Sequence, residues 1–243
     1  MAKAKKSLSQ NFLTDKNIGN KIIKQTNING QTILEIGPGY GFMTDHILLQ
    51  NPKRIYLIEQ DKLLVKYLKN KYQNNKKIYI IEDDILNVNL SKFKNLVIIS
   101  NLPYNISTKI ILYLFNFNKN ICELIVMIQK EVALKFDYNL PKMNKYKFLT
   151  YIVSIYSRLF DVSSKVFIPK PKVESTVVKF TFNKKEFDID KAVQFSNLIF
   201  KNVRKKINNN IGIKNKSKLL EKRVNQLTID DLLNIYNFFS VAF

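Results

Sequence analysis

Four consecutive residues, Asn101-Leu102-Pro103-Tyr104, carry groups suited to chemistry, and they follow an apolar run at 96–99. Pro103 has no N–H and disfavours helix at Leu102, so a strand must stop and the chain must turn there. The turn leaves an amide, a backbone carbonyl and a phenol ring at the carboxyl edge of a sheet, where open α/β sheets bind ligands. An amide oxygen beside a carbonyl oxygen accepts both hydrogens of an exocyclic amine, and a neighbouring ring stacks on a flat base. Taken alone, the tetrapeptide reads equally well as a ligand-binding edge or as no more than a Pro-terminated strand followed by a surface loop.

The elements around it favour the first reading. Residues 32–37 form a short buried strand that runs into Gly37-Pro38-Gly39-Tyr40-Gly41 and then an amphipathic helix with Met43, Ile47 and Leu48. Strand, glycine turn, helix is the arrangement that cradles nucleotides. The spacing is G-x-G-x-G, and Phe42 stands where the dinucleotide fingerprint has its third glycine, which favours S-adenosylmethionine over NAD. A second strand, 54–59, ends in Glu59, one βαβ step on, where a carboxylate accepts both ribose hydroxyls. A third, 78–84, brings Asp84, with Asp83 as its rival, to accept a cofactor's adenine amino group. A fourth, 94–100, delivers the opening motif. Four strands thus end in polar or glycine residues on one edge.

Upstream, residues 1–8 are a basic arm, and Thr14 or Asp15 caps a helix over 16–26. By themselves Asn11 and Leu13 read as a surface turn. Downstream, Ser107 or Thr108 caps a helix at 109–117, and 122–129 is a fifth strand followed by a helix from Lys130. Residues 138–148 read as a basic, aromatic loop, and 151–161 and 176–182 as two more strands. Between these, Phe167 opens a loop stiffened by Pro169 and Pro171; it is either a second stacking ring or a loop residue anchored in the core. After a charged linker, 183–190, helices are expected at 190–203, 215–222 and 228–239, the last capped by Thr228. Arg204-Lys205-Lys206 ends the first of these, suiting either the helix dipole or contact with phosphates.

The chain of 243 residues carries 40 Lys and Arg against 19 Asp and Glu, net +21, which points to nucleic acid, an acidic membrane surface or another polyanion. Residues 184–243 hold 12 basic and 6 acidic residues, about their proportional share, so charge alone does not locate the contact face. Cys122 is the only cysteine and His46 the only histidine, which argues against a disulfide, a Cys- or His-based metal site and a His triad. No run approaches the roughly 18 apolar residues of a membrane span, and the N-terminus has no secretory apolar core, so a reducing, cytoplasmic location is expected.

In order along the chain, KKSLSQNFL, LEIGPGYG, NLPYNIST, MIQKEVA, FIPKPKVES and VRKKINNN resemble the motifs of the small-subunit ribosomal RNA adenine dimethyltransferases. The resemblance implies an α/β, Rossmann-like, seven-stranded S-adenosylmethionine-dependent methyltransferase sheet with a small C-terminal helical domain. The division implied is 1–183 for the methyltransferase domain, including 1–15 as basic arm and cofactor lid, and 184–243 for an RNA-binding domain. Carried over position by position, the resemblance implies cofactor binding by Asn11, Leu13, Gly37, Glu59, Asp84 and Asn101. It gives Asn101, Leu102, Pro103, Tyr104 and Phe167 the target base, and Arg204, Lys205 and Lys206 the RNA. The implied substrate is a pair of adjacent adenines in the 3′-terminal hairpin of small-subunit rRNA, met by a monomer on a 30S-type assembly intermediate. Ser9, Val203 and Lys147 depart from the family pattern; none touches the methyl-transfer centre. NLPYNIST is shared with the macrolide-resistance methyltransferases of large-subunit rRNA, which are one alternative; a ribosome-assembly or transcription factor without turnover is another.

Overall fold

The computed structural model of the chain describes residues 11–183, 187–211 and 218–242. The basic arm, Ser9, Gln10 and the first part of the helix expected at 215–222 lie outside the described residues. The elements in order are β1 (Phe12–Leu13), α1 (Lys16–Ile23), β2 (Thr32–Ile36), α2 (Phe42–Leu48), β3 (Arg54–Glu59), α3 (Lys62–Lys71) and β4 (Ile78–Glu82). Then come β5 (Leu96–Asn101), α4 (Ser107–Phe115), β6 (Ile121–Gln129), α5 (Lys130–Phe136), α6 (Lys145–Val153), β7 (Ser154–Val162) and β8 (Phe167–Ile168). The last are β9 (Ser175–Phe182), α7 (Ile189–Ile199), α8 (Ile207–Ile211) and α9 (Ile229–Ala242).

The seven-stranded sheet has the order β4-β3-β2-β5-β6-β9-β7. Strands β2 to β6 are mutually parallel, and β9 pairs antiparallel with β6. Central strands are near-continuous apolar runs, as sheets covered on both faces require; β5 is buried through Ser100, whereas the edge strand β4 is half-exposed. From β2 the chain moves outward to β3 and β4, then returns to lay β5 on the other side of β2. Strand order therefore reverses between β2 and β5. Loops leaving these two strands diverge and open a crevice.

Contacts divide the chain into two compact units. One holds the described residues up to Ala133 together with Ser157–Asn183; the other holds Leu134–Tyr156 and the described residues beyond Asn183. The sequence-derived division puts 134–156 with the first domain; the contacts group that segment with the second. Within the second unit, Phe148, Phe195, Tyr236 and Phe239 pack ring against ring at centroid distances of 5.2 to 5.9 Å. This aromatic cluster is why α6 belongs there.

Several local expectations are corrected. Asp15, not Thr14, caps α1, accepting from the Asn17 and Ile18 amides; Thr14 instead donates to the Val166 carbonyl. The helix α4 starts at Ser107 behind Ile106, with no side-chain cap, because Ser107 Oγ donates to the Tyr104 carbonyl. The expected loop at 138–148 ends early: Asn144 caps α6 through the Tyr146 and Lys147 amides, so 151–153 is helix rather than strand. Residues 218–222 are turns, and the short helix α8 was not foreseen. Thr228 does begin the last helix, its Oγ accepting from the Asp231 amide while Asp231 accepts from the Thr228 amide.

Candidate active site

A cavity of about 420 Å³ opens at the carboxyl edge of the sheet, at the reversal of strand order. Its wall includes Asn11, Leu13, Gly37, Glu59, Asn101, Leu102, Pro103 and Tyr104, eight of the residues singled out from sequence. Asp84, Phe167, Arg204, Lys205 and Lys206 are not on that wall.

Bonds to backbone carbonyls tie the strand ends side by side. Gly37 N–H donates to the Ile58 carbonyl at 2.9 Å, Ser100 Oγ donates to the Ile36 carbonyl, and Leu102 N–H donates to the Met127 carbonyl at 3.1 Å. Two glycines are required by close approach. A Cβ on Gly39 would lie 2.8 Å from the Phe12 ring, and one on Gly41, at φ +77°, would lie 2.2 Å from the Tyr72 hydroxyl.

Asn101 is the centre of the arrangement. Its Nδ2 donates to the Asn11 carbonyl at 2.8 Å, whereas its Oδ1 is buried with no partner among the described residues. The Asn11 carbonyl can only accept, so it fixes which amide atom is nitrogen and leaves an oxygen at the cavity wall. A buried unsatisfied acceptor costs about 1–3 kcal/mol, so it marks a place where a ligand hydrogen belongs. Beside it, Tyr104 is held by a hydrogen bond between its hydroxyl and Ser175 Oγ, and burial pushes that phenol's pKa up. Ser175, the last residue of the FIPKPKVES motif but given no role there, tethers the phenol end of the ring.

Glu59 is 5% exposed, and its carboxylate holds the glycine turn: Oε2 accepts from the Gly39 amide at 3.2 Å and Oε1 from the Asp61 amide at 3.0 Å. Each oxygen keeps further acceptor capacity for a ribose hydroxyl. Burial raises its pKa, against those amide bonds. Asp84 instead caps the short turn after β4 by accepting from the Leu86 amide, and Asp83 accepts from the Asp84 amide and from Asn87.

Phe167 takes the core-anchored alternative. It is 2% exposed, packed in the core that also holds Leu13 and Met127. Turning it out would cost about 1.5–3 kcal/mol of burial, comparable to the roughly 1–3 kcal/mol that one base stack contributes. In the described conformation its neighbour Ile168 is on the cavity wall. The reason is pairing: β1 and β8 form a two-stranded antiparallel sheet with Leu13 opposite Phe167 and Phe12 opposite Ile168. Alternation sends Leu13 and Phe167 into the core.

Two features under the glycine turn were missed. Glu35, inside β2, is 2% exposed and accepts from Thr44 Oγ1 at 2.6 Å; burial pushes its pKa up to about 8. A lone carboxylate in an apolar strand was the available signal. From α3, Tyr72 donates to Asp45 Oδ1 at 2.7 Å, its hydroxyl lying 3.0 Å from the Gly41 carbonyl. Lys71 Nζ binds Asp45 Oδ2 at 2.7 Å and the Tyr40 carbonyl at 2.9 Å. These bonds hold the turn at Tyr40 and Gly41, as Glu59 holds it at Gly39; nothing in the local sequence announces them.

The remaining residues belong to the second unit. Arg204, Lys205 and Lys206 are exposed in a turn beyond α7 rather than at its last turn, and Lys206 pairs with Glu221. Lys147 is 4% exposed, its ammonium bonded to the Leu140 and Pro141 carbonyls, so it presents no charge to solvent. Among the described residues no His, Cys, Asp or Glu cluster could hold a metal ion, and no helix is long and apolar enough to cross a membrane.

A sequence model of the ribosomal RNA adenine dimethylase family matches residues 1–240. The chain belongs to that family. It is therefore an S-adenosylmethionine-dependent rRNA adenine methyltransferase, with the Rossmann-like fold expected. Among relatives, the ribosomal RNA small subunit methyltransferase A of Mycoplasma capricolum is 36% identical, with 99% of both chains covered. That of Hydrogenobaculum is 34% identical over 99% of this chain and 95% of its own. A dimethyladenosine transferase from Plasmodium falciparum superposes with a TM-score of 0.78 at 21% identity, covering 94% of this chain and 98% of that one. The 23S rRNA methyltransferase ErmE gives 0.76 at 19%, covering 94% and 99%. The two structures share the fold and do not separate the substrates.

Two outcomes are expected. Tyr72→Phe removes the clamp's hydroxyl while the exposed Asp45 carboxylate stays solvated and bound to Lys71, so the lost hydrogen bond costs about 0.5–1.5 kcal/mol of stability. It should raise the KM for S-adenosylmethionine while leaving kcat nearly unchanged; steady-state kinetics showing the reverse would contradict a clamp on the cofactor turn. For Glu35, the folded pKa lies above the ordinary 4.5, so its contribution to stability is fully present below pH 4.5 and lost as pH rises through about 8. Urea unfolding between pH 5.5 and 8.5 should show stability falling, by at most about 1.4 kcal/mol per pH unit from this group. Glu35→Gln should flatten that slope.

Proposed function

We propose that the protein transfers methyl groups from S-adenosylmethionine to the N6 amino groups of two adjacent adenosines in the 3′-terminal hairpin of small-subunit rRNA. The product is N6,N6-dimethyladenosine, made during small-subunit biogenesis. The single observation that carries the chemistry is the buried Asn101 Oδ1, with no partner among the described residues, on the wall of a cavity at the strand-order reversal. The small-subunit assignment rests on the relatives' names.

The residues fit the cofactor: a glycine turn, a carboxylate one strand over and a cavity between them. When bound, S-adenosylmethionine supplies an electrophilic methyl on sulfonium. The adenine amino nitrogen is a poor nucleophile because its lone pair is delocalised into the ring. Asn101 Oδ1 and the Leu102 carbonyl accept its two hydrogens and favour a pyramidal nitrogen with the lone pair free. Positioning then does what acid–base catalysis does elsewhere, which suits a wall without His or Cys. Pro103 keeps the Leu102 carbonyl out of helix, and Tyr104 stacks on the base, offsetting the few kcal/mol of leaving the RNA stack. In this reading Phe167 backs the cavity from the core and turns out only if base capture moves β8.

The rest of the reading is organisational. Residues 1–183 carry the chemistry, with 1–15 as arm and cofactor lid, and 184–243 form the RNA-binding domain, with Arg204, Lys205 and Lys206 at phosphates. Asp84 holds the cofactor's adenine, and a monomer works in the cytoplasm on a 30S-type intermediate.

Asn101→Ala should cut methyl transfer by about a hundredfold or more, as loss of one transition-state hydrogen-bonding group does elsewhere. Folding and RNA affinity should change far less. Single-turnover transfer to 30S particles, with mono- and dimethyladenosine resolved, checks this; equal rates for variant and wild type would refute the role of Asn101. Glu59→Ala should weaken S-adenosylmethionine binding at least tenfold, since hydrogen bonds to a charged acceptor contribute about 1.5–3 kcal/mol each. Calorimetry with unchanged affinity would remove Glu59 from the cofactor site.

A further inference from the structure

Strands β2 to β6 are parallel, so the segments that precede them share the sheet's amino edge, opposite the cavity. Charge divides sharply between the two edges. Segments 49–53, 72–77, 88–95 and 116–120 contain no Asp or Glu, whereas Glu59, Asp61, Glu82, Asp83 and Asp84 gather where β3 and β4 end. On the amino edge stand Lys53, Arg54, Lys76, Lys77, Lys92 and Lys94; all are exposed except Lys77, which is half-buried. None of the six forms an ion pair with a described residue.

The surface is ordered. Lys77 Nζ donates to Asn51 Oδ1 at 2.7 Å, Lys53 N–H donates to the Gln31 carbonyl at 2.8 Å, and Asn120 Nδ2 reaches the Phe93 carbonyl at 2.8 Å. Tyr79, 42% exposed, stacks on Tyr56 with centroids 5.1 Å apart and planes 23° from parallel. The Arg54 guanidinium lies 5.9 Å over the Tyr79 ring, which preorganises its fork. Unpaired cations, side-chain amides and a stacked arginine suit a phosphate backbone.

We propose that this amino edge is a second RNA-binding surface, which holds the backbone of an rRNA segment other than the one carrying the target adenines. The inference rests on the rRNA-methyltransferase reading above. Strand β3 has six residues, so the two edges are about 20 Å apart and face opposite ways. A hairpin seated at the cavity leaves the amino edge uncovered, whereas a folded small-subunit particle presents further segments that reach it.

The test compares wild type with a variant carrying Lys53→Gln, Arg54→Gln, Lys76→Gln and Lys92→Gln, titrated over salt against small-subunit particles and against the isolated 3′ hairpin. Each phosphate contact contributes about 0.7–0.9 to the slope of log affinity against log salt, so the particle slope should fall by about 3 in the variant. Affinities for the hairpin and for S-adenosylmethionine should not move. A version with Lys53→Arg, Lys76→Arg and Lys92→Arg should keep the wild-type slope. If the Gln variant loses cofactor affinity it is misfolded, and Lys53→Gln with Lys92→Gln, expected to lower the slope by about 1.5, decides instead. An unchanged particle slope, an equal loss on the hairpin, or a loss confined to anionic lipid vesicles overturns the proposal. Failure of the wild type to bind or methylate the particle would instead overturn the parent reading.

Discussion

The site depends on one constraint of topology, the reversal of strand order between β2 and β5. Parallel pairing puts the ends of β2, β3 and β5 on one edge, and the reversal parts the loops that follow β2 and β5. Gly37 leaves one side of the crevice and Asn101 the other, while Glu59 rises one strand over. The lateral bonds from Gly37, Ser100 and Leu102 are made to backbone carbonyls, so the spacing of the three groups is set by main-chain geometry. Main-chain bonds inside a buried sheet have no water to compete for them, which makes them the stiffest available frame for positioning chemistry.

That frame was largely legible in the sequence because its signals are local and redundant. Buried parallel strands are apolar runs of five or six residues, and each of these runs ends in a residue a core would reject. The glycine turn after β2 and the proline after β5 fix where the chain must bend, independent of anything distant. Hence the cavity wall and the expected residues Asn11, Leu13, Gly37, Glu59 and 101–104 coincide. Periodicity also found most strands within a residue or two.

What escaped was set by contacts far apart in the chain. Phe167 could be assigned to core or ligand only by knowing that 167–168 pairs with 12–13, some 155 residues earlier. The Tyr72–Asp45 clamp joins two helices through side chains with no shared motif. Lys147 reads from sequence as part of a basic loop at 138–148; it lies in α6, its ammonium enclosed by the Leu140 and Pro141 carbonyls, and burial lowers its pKa. The boundary of α6 turned on one asparagine cap that competes with a strand pattern, and side-chain capping is worth about 1 kcal/mol, enough to decide a short element.

The electrostatics of the two edges can be reconciled by distance. A cationic methyl donor is best received where an acidic side chain is close and bases are few, and Glu59, which holds the Gly39 amide of the glycine turn, supplies that group. An RNA backbone is best received where cations stand unpaired. In a chain of net charge +21 these demands conflict if the charges mingle, since an unpaired lysine near the turn would repel the donor; Lys71, which does reach the Tyr40 carbonyl, is neutralised by Asp45. At physiological salt the Debye length is about 8 Å, well under the roughly 20 Å length of β3, so amino-edge cations are screened from the cavity while remaining effective at contact with phosphate. The parallel sheet thus does two things with one geometry: it gathers strand ends for chemistry at one edge, and it keeps the strand beginnings, with their lysines, far enough away that strong basicity does not disturb it.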